Sequence, residues 1–124
     1  MSRPMSVEVV NAYGRQSVRI AIDDAAVLLD AEDVDAVIQH LGYLRAAMRP
    51  EVLKDPPRGQ QCVIEMDPCW HSEKHLLYDG AVLLLRHSGL GWAGFALPPH
   101  SLQQLCGALT HHLAALRDEH CMPN

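Results

Sequence analysis

The most constraining feature of this sequence is a strand-to-helix unit that occurs twice. The clearer copy, residues 92–116, reads as an apolar strand, a Pro-Pro corner and an amphipathic helix. A weaker copy, residues 24–48, lies 68 positions earlier. This offset matches the apolar helix positions pairwise: Val34 with Leu102, Val37 with Leu105, Ile38 with Cys106, Leu41 with Leu109 and Met48 with Leu116. The repeat predicts that one supersecondary unit builds both halves of the chain.

Three strands are predicted before each helix. In the first half they are Val7–Ala12, an alternating run with Val18, Ile20 and Ile22 on one face, and Ala25–Leu29; in the second half they are Cys62–Met66, Ala81–Leu85 and Trp92–Leu97. Strands linked by hairpins and followed by a helix predict an α+β fold, in which two βββα halves form one mainly antiparallel sheet. Because each helix has a single apolar stripe, both helices are predicted to pack on one face of that sheet.

A Pro-rich segment separates the halves. Residues 50–60, PEVLKDPPRGQ, contain three Pro and one Gly, which cannot continue a helix or a central strand. Each half holds only about fifty residues, which is short for an independent core. The 124 residues are therefore predicted to form a single domain, with halves at residues 7–49 and 61–117 and a crossover at residues 50–60.

Charge and hydropathy exclude several classes of partner. The net charge of -5 with neutral His argues against binding to a phosphate backbone, so no nucleic-acid partner is expected. No apolar run approaches the ~20 residues of a membrane span, and the N-terminal residues lack the apolar stretch of a signal peptide. We therefore expect a soluble cytoplasmic protein without a membrane partner, whose four Cys are reduced thiols.

The longer polar insert of the second half, residues 67–79, holds the densest group of reactive side chains. Cys69, His71 and His75 are of the types that bind transition metals, so they form a candidate site for zinc or a similar ion. Trp70, together with His71 and His75, forms a candidate small-ligand site. Their spacing matches no standard zinc motif, so a polar surface loop anchored by Trp70, with no cofactor, is the competing interpretation.

Other patterns give weaker indications. The stretch Gly89 to Gly94 matches GxGxxG, but it leads into an apolar strand rather than a helix, which predicts a hairpin turn instead of a nucleotide site. Cys69 and His71 resemble a nucleophile and base, although ~6.6 Å of strand rise would separate them. His71, His75 and His87 suggest a pH-responsive surface, because the unperturbed His pKa is near 6.5.

No specific catalytic signature accompanies these patterns, so we predict a non-catalytic accessory or protein-interaction domain rather than an enzyme. The almost continuous apolar run Ala81–Leu85 predicts a strand covered on both faces. A homodimer would cover the sheet face away from the helices, with Leu83 and Leu85 or their neighbours at the interface; an unidentified protein partner is also expected. The alternative is a metal- or small-ligand-binding protein, or a minor hydrolase, that uses the loop Asp67–His75.

Overall fold

A computed structural model describes residues 4–56, 64–75, 77 and 79–121, with only the backbone described at residues 119–121. The chain divides into two compact units, residues 1–63 and residues 64–124. The first unit contains β1 (Met5–Ala12), β2 (Arg15–Ile22), β3 (Ala25–Leu29) and α1 (Ala31–Ala47); the second contains β4 (Trp70–Lys74), β5 (Ala81–His87), β6 (Gly91–Leu97) and α2 (Pro99–Cys121).

Both units have the order strand, strand, strand, helix, which confirms the predicted α+β class with two βββα halves. Within the described residues the strands form two three-stranded antiparallel sheets, ordered β1-β2-β3 and β4-β5-β6, rather than the one sheet that we expected. The physical reason is local: each strand pairs with its neighbour along the chain, and short connections favour antiparallel hairpins. The single-domain interpretation stays a prediction.

The first sheet follows its sequence pattern closely. A two-residue turn joins β1 to β2, with Tyr13 and Gly14 both at positive φ, 55° and 76°, as the right-handed strand twist favours in a tight hairpin. The strand register places Val7 opposite Ile20 and Val9 opposite Val18. The apolar side chains therefore share one face of this sheet, as the alternation in β2 predicted.

Helix α1 begins at Ala31, directly after a residue type that is favoured as an N-cap. The carboxylate of Asp30 accepts a hydrogen bond of 2.8 Å from the backbone N–H of Asp33, which is the N-cap arrangement. The helix ends at Ala47, and the N–H of Met48 donates to the carbonyl of Arg45 at 3.1 Å. The cap fixes the start of α1, and the helix lies within residues 24–48, the weaker copy of the repeat.

The first strand of the second sheet differs from the prediction. It lies at Trp70–Lys74, inside the polar insert of residues 67–79, whereas Ile64 and Met66 belong to no strand. Residues 62 and 63 of the predicted strand lie outside the described residues. Pairing with β5, from Trp70 opposite Leu85 to Lys74 opposite Ala81, defines β4. The backbone ladder thus outweighs the low strand propensity of the sequence WHSEK.

Strand β5 lies at the centre of its sheet, between β4 and β6, which accounts for its almost continuous apolar sequence. The turn before it requires Gly80, which has a φ of +118°. A Cβ atom at this position would lie only 2.1 Å from the carbonyl oxygen of Leu97. Helix α2 then follows β6 through Pro98, whose carbonyl accepts from the N–H of Leu102 at 2.9 Å.

The hydrophobic side chains of both units are incompletely covered. None of the residues that the structure describes is buried, and the most protected are half-buried, chiefly in β2 and β5. Among the described residues, no helix is long and apolar enough to cross a membrane. Within each unit, the described residues of the sheet and the helix therefore define apolar faces without enclosing a core.

Candidate functional site

An apolar groove of about 510 Å³ lies between α2 and one face of the second sheet. We call it the α2 groove. The start of strand β4 lines the groove, β5 forms its floor, and α2 forms the wall opposite the sheet. The lining residues are Trp70, Ser72, Ala81, Val82, Leu83, Leu85, Leu97, Leu102, Leu105, Cys106, Leu109, Thr110 and Leu113. No Lys, Arg, Asp or Glu is among these residues, so the groove offers contacts of low polarity.

Strand pairing explains why these side chains meet. Trp70 is opposite Leu85, and Ser72 is opposite Leu83, so these four side chains share one face of the sheet. The leucine stripe of α2 faces them from above. The groove is open to solvent, as the exposed fraction of 58% for the Leu109 side chain shows.

Leu83 and Leu85, predicted as interface residues, therefore lie on the side of the sheet that faces α2. We expected an interface on the face away from the helices. Their neighbour Leu84 lies toward that opposite face, where its Cδ2 atom is 3.1 Å from the Cβ position of Gly94. The two faces of β5 are thus both apolar, and the helix side contains the groove.

The three predicted ligand-binding residues are not brought together. Trp70 lines the α2 groove, whereas His71, the next residue along β4, lies on the opposite face, with its Nε2 atom 3.3 Å from a carboxylate oxygen of Glu73. His75 lines a separate cavity of about 250 Å³ that also includes Asp79. Its Nδ1 atom accepts a hydrogen bond of 3.0 Å from the N–H of Leu77. Of the predicted set, only Trp70 therefore belongs to the groove.

The predicted metal ligands are equally dispersed. Cys69 is an exposed free thiol immediately before β4, and its carbonyl accepts from the N–H of Arg86 at 3.0 Å. Across the described part of the chain, no group of three or more His, Cys, Asp or Glu side chains is arranged to hold a metal ion. The metal site of Cys69, His71 and His75 stays a prediction.

A polar cluster that we did not predict joins Glu65 to the turn between β5 and β6. One oxygen of the Glu65 carboxylate accepts hydrogen bonds from the backbone N–H of Ser88, at 2.6 Å, and from the Ser88 hydroxyl. The Nδ1 atom of His87 lies 3.6 Å from the same oxygen. The backbone N–H groups of Gly89 and Leu90 both donate to that Nδ1 atom at 3.0 Å.

These contacts lower the pKa of Glu65. The Ser88 hydroxyl makes the largest contribution, followed by the Ser88 backbone N–H, while His87 and Arg86 add smaller electrostatic effects. A carboxylate with a lowered pKa is a weaker general base, and the hydroxyl of Ser88 donates to it rather than to an imidazole. The cluster therefore holds the segment before β4 against the turn after β5, and its geometry does not match a catalytic triad.

Glu65 and Ser88 are 23 residues apart, and neither residue stands in a recognisable motif, so no local sequence signal could have identified this contact. The α2 groove was partly foreseeable, because the leucine stripe of α2 and the apolar run of β5 are both visible in the sequence. The exposure of those side chains was not foreseeable, because periodicity indicates which residues share a face and leaves open what covers that face.

Comparisons with protein-family models, with curated proteins and with solved structures find no match for this chain. The fold and the groove are therefore the observations from which a function is inferred. The most informative of them is the exposure of apolar side chains on both sheets and both helices.

Proposed function

We propose that this chain is a non-catalytic protein-interaction domain of the cytoplasm that acts as a homodimer. The observation that carries this proposal is that none of the residues described by the structure is buried. Burial of apolar surface is the main favourable contribution to folding. Apolar faces of this extent are typical of surfaces that are covered by another chain.

The exposure of apolar side chains along α2 supports the same proposal. Leu109, Leu113 and Leu116 are 58%, 50% and 52% exposed. Obligate homodimer interfaces remove about 1,000–2,500 Å² from each protomer, and apolar side chains of this kind form their cores.

Sedimentation equilibrium of the full chain tests this proposal. We expect a mass of twice 13.7 kDa at micromolar concentration, because an obligate interface of this area is generally stable under such conditions. A strict monomer at high concentration, with an unchanged far-UV circular dichroism spectrum, would contradict the homodimer.

A second candidate function is the binding of a small apolar molecule, for which the location of Trp70 is the specific observation. The α2 groove has a volume of about 510 Å³, within the range of roughly 300–1,000 Å³ that is common for ligand sites. Its few polar side chains, Ser72 and Thr110, could orient one polar group of a ligand. This function retains the predicted ligand contact at Trp70 and omits His71 and His75.

The two functions are separated by titrating the protein with the dye 1-anilinonaphthalene-8-sulfonate, which becomes fluorescent in apolar sites. A ligand-binding groove would bind the dye in the dimer with saturable one-to-one stoichiometry, and Trp70→Ala would weaken that binding. A groove that is filled by protein would bind dye only when the protein is diluted to monomers. Dye binding that is independent of Trp70 in both states would count against the ligand function.

A further inference from the structure

We infer that α2 of a second copy covers the α2 groove, so that the two α2 helices pack antiparallel about a two-fold axis at Leu109. This inference rests on the proposed homodimer and specifies which surface forms it. Three observations support it: the absence of charge on this part of the chain, the symmetry of the leucine stripe, and the difference between α2 and α1.

The first observation concerns charge. Between Arg86 and Arg117 the sequence contains no Lys, Arg, Asp or Glu, a stretch that includes all of β6 and α2 as far as Leu116. A helix with one face in water normally carries charged residues on that face, whereas the cores of protein interfaces are depleted in charge. Two copies of this segment can therefore approach each other without repulsion between like charges and without desolvating an ion.

The second observation is that the stripe is complementary to itself. Its leucines are spaced symmetrically on either side of Leu109: Leu102, Leu105, Leu109, Leu113 and Leu116. In an antiparallel pair, Leu102 of one copy meets Leu116 of the other, Leu105 meets Leu113, and Leu109 meets its own equivalent. A two-fold interface requires such self-complementarity, because the same surface contributes both sides.

The third observation excludes the first half's helix as the better occupant. At the position that the repeat matches to Leu113, α1 has Arg45. None of the described residues that line the α2 groove is charged, so this guanidinium would have no partner there, and burying an unpaired charge is strongly unfavourable. The second copy's α2 brings Leu113 to that place instead. Of the two described helices, α2 is therefore the one whose stripe suits the groove.

Cysteine cross-linking tests the inferred register. The four native cysteines are first replaced (C62S, C69S, C106S and C121S), and a single cysteine is then introduced at Leu109, at Leu102 or, as the control on the far side of α2, at Gln104. Disulfides form when the two Cα atoms lie within ~7 Å. We expect L109C to cross-link at least about tenfold faster than Q104C, whereas L102C alone should not exceed the Q104C rate.

Mixed samples provide the second arm of the test. L102C mixed with L116C, and L105C mixed with L113C, should form heterodimers faster than any of these variants forms a disulfide with itself. Because the two pairs are independent, one variant that fails to fold does not remove the test. Circular dichroism and sedimentation of each reduced variant identify such a failure.

The outcomes separate the inference from the proposed function. If sedimentation shows a dimer but L102C cross-links to itself as fast as L109C, the helices are parallel and the inference is wrong. If none of the α2 cysteines exceeds Q104C in a sedimenting dimer, another surface forms the interface, and the occupant is the first half or a different protein. A wild-type chain that sediments as a monomer would overturn both the proposed function and the inference.

Discussion

The two halves of this chain share one order of elements but present different surfaces. In the first half, one face of the sheet carries the pair Glu8 and Arg19, whose charged groups lie 3.7 Å apart across β1 and β2. In the second half, β6 and nearly all of α2 have no Lys, Arg, Asp or Glu. Similar scaffolds can therefore differ in the chemistry that decides what binds to them.

Exposure alone does not distinguish the halves. Leu41 on α1 is 57% exposed, and Leu109, which the repeat matches to it, is 58% exposed. The neighbours of the two leucines differ, because Arg45 follows Leu41 one turn later, whereas Leu113 follows Leu109. This difference supports the assignment of the proposed interface to the second half.

The largest effect is expected from placing a charge in the stripe of α2. Leu109→Asp should weaken dimerisation by roughly 1,000-fold, or about 4 kcal/mol, because the carboxylate would be desolvated against its own copy. Leu41→Asp, at the matched position of equal exposure, should change the dimer dissociation constant by less than about fivefold. Sedimentation equilibrium over a dilution series measures both constants. Equal effects of the two substitutions would remove the distinction between the halves.

The hairpin turns of the halves provide the next comparison. Gly80→Ala should lower the free energy of unfolding by about 3 kcal/mol, because φ is positive there and the new methyl group would collide with the Leu97 carbonyl. Gly14→Ala should cost only about 1 kcal/mol, since Gly14 also has a positive φ but nothing lies within 4 Å of its Cβ position. Urea denaturation at one fixed protein concentration measures the free energy of unfolding of both variants. A larger loss for Gly14→Ala than for Gly80→Ala would contradict the close approach of Gly80 to Leu97.

The tryptophans report on the two faces of the second sheet. In the single chain Trp70 is 67% exposed and Trp92 is 54% exposed, yet only Trp70 lines the groove. Acrylamide should therefore quench Trp70 less strongly than Trp92 in the dimer, the reverse of the order that the isolated chain indicates. Trp92→Phe and Trp70→Phe isolate each signal. Stronger quenching of Trp70 at concentrations where the protein is dimeric would argue against coverage of the groove.

The smallest effect concerns Glu65. Because its folded pKa lies below the ordinary 4.5, the Ser88 contacts contribute stability that is complete above pH 4.5 and is lost as the pH falls through the lowered pKa. Ser88→Ala removes the hydroxyl donor, so the pKa of Glu65 should rise toward 4.5. Carbon-13 NMR titration of the labelled carboxyl group measures this shift. Ser6→Ala, in the first sheet, is the control that should leave the pKa unchanged.

Much of the fold could be predicted from local sequence signals. Asp30 as the N-cap of α1, the strand at Ala25–Leu29 and the Pro corner before α2 all follow from short-range rules about caps, alternation and proline. These features depend on a few adjacent residues. A single sequence therefore carries enough information to identify them.

Features that depend on distant residues were missed. Strand β4 has the sequence WHSEK, which has no strand-like pattern, and its pairing with residues 81–85 determines its conformation. The contact between Glu65 and Ser88 is also non-local. For the candidate site, the leucine stripe of α2 and Trp70 were recognised from the sequence. Trp70 was grouped with His71 and His75 because a loop was expected there. The observed strand β4 instead places Trp70 and His71 on opposite faces of the sheet.

The most direct test of the account is isotope-filtered NMR of a mixed dimer, made from one methyl-labelled and one unlabelled population of the full chain. We expect intermolecular NOEs from the methyl groups of Leu109, Leu113 and Leu116, with none from the leucines of α1. Intermolecular NOEs confined to α1 and the first sheet, or none at all in a protein that sediments as a dimer, would contradict the assignment of the interface to α2.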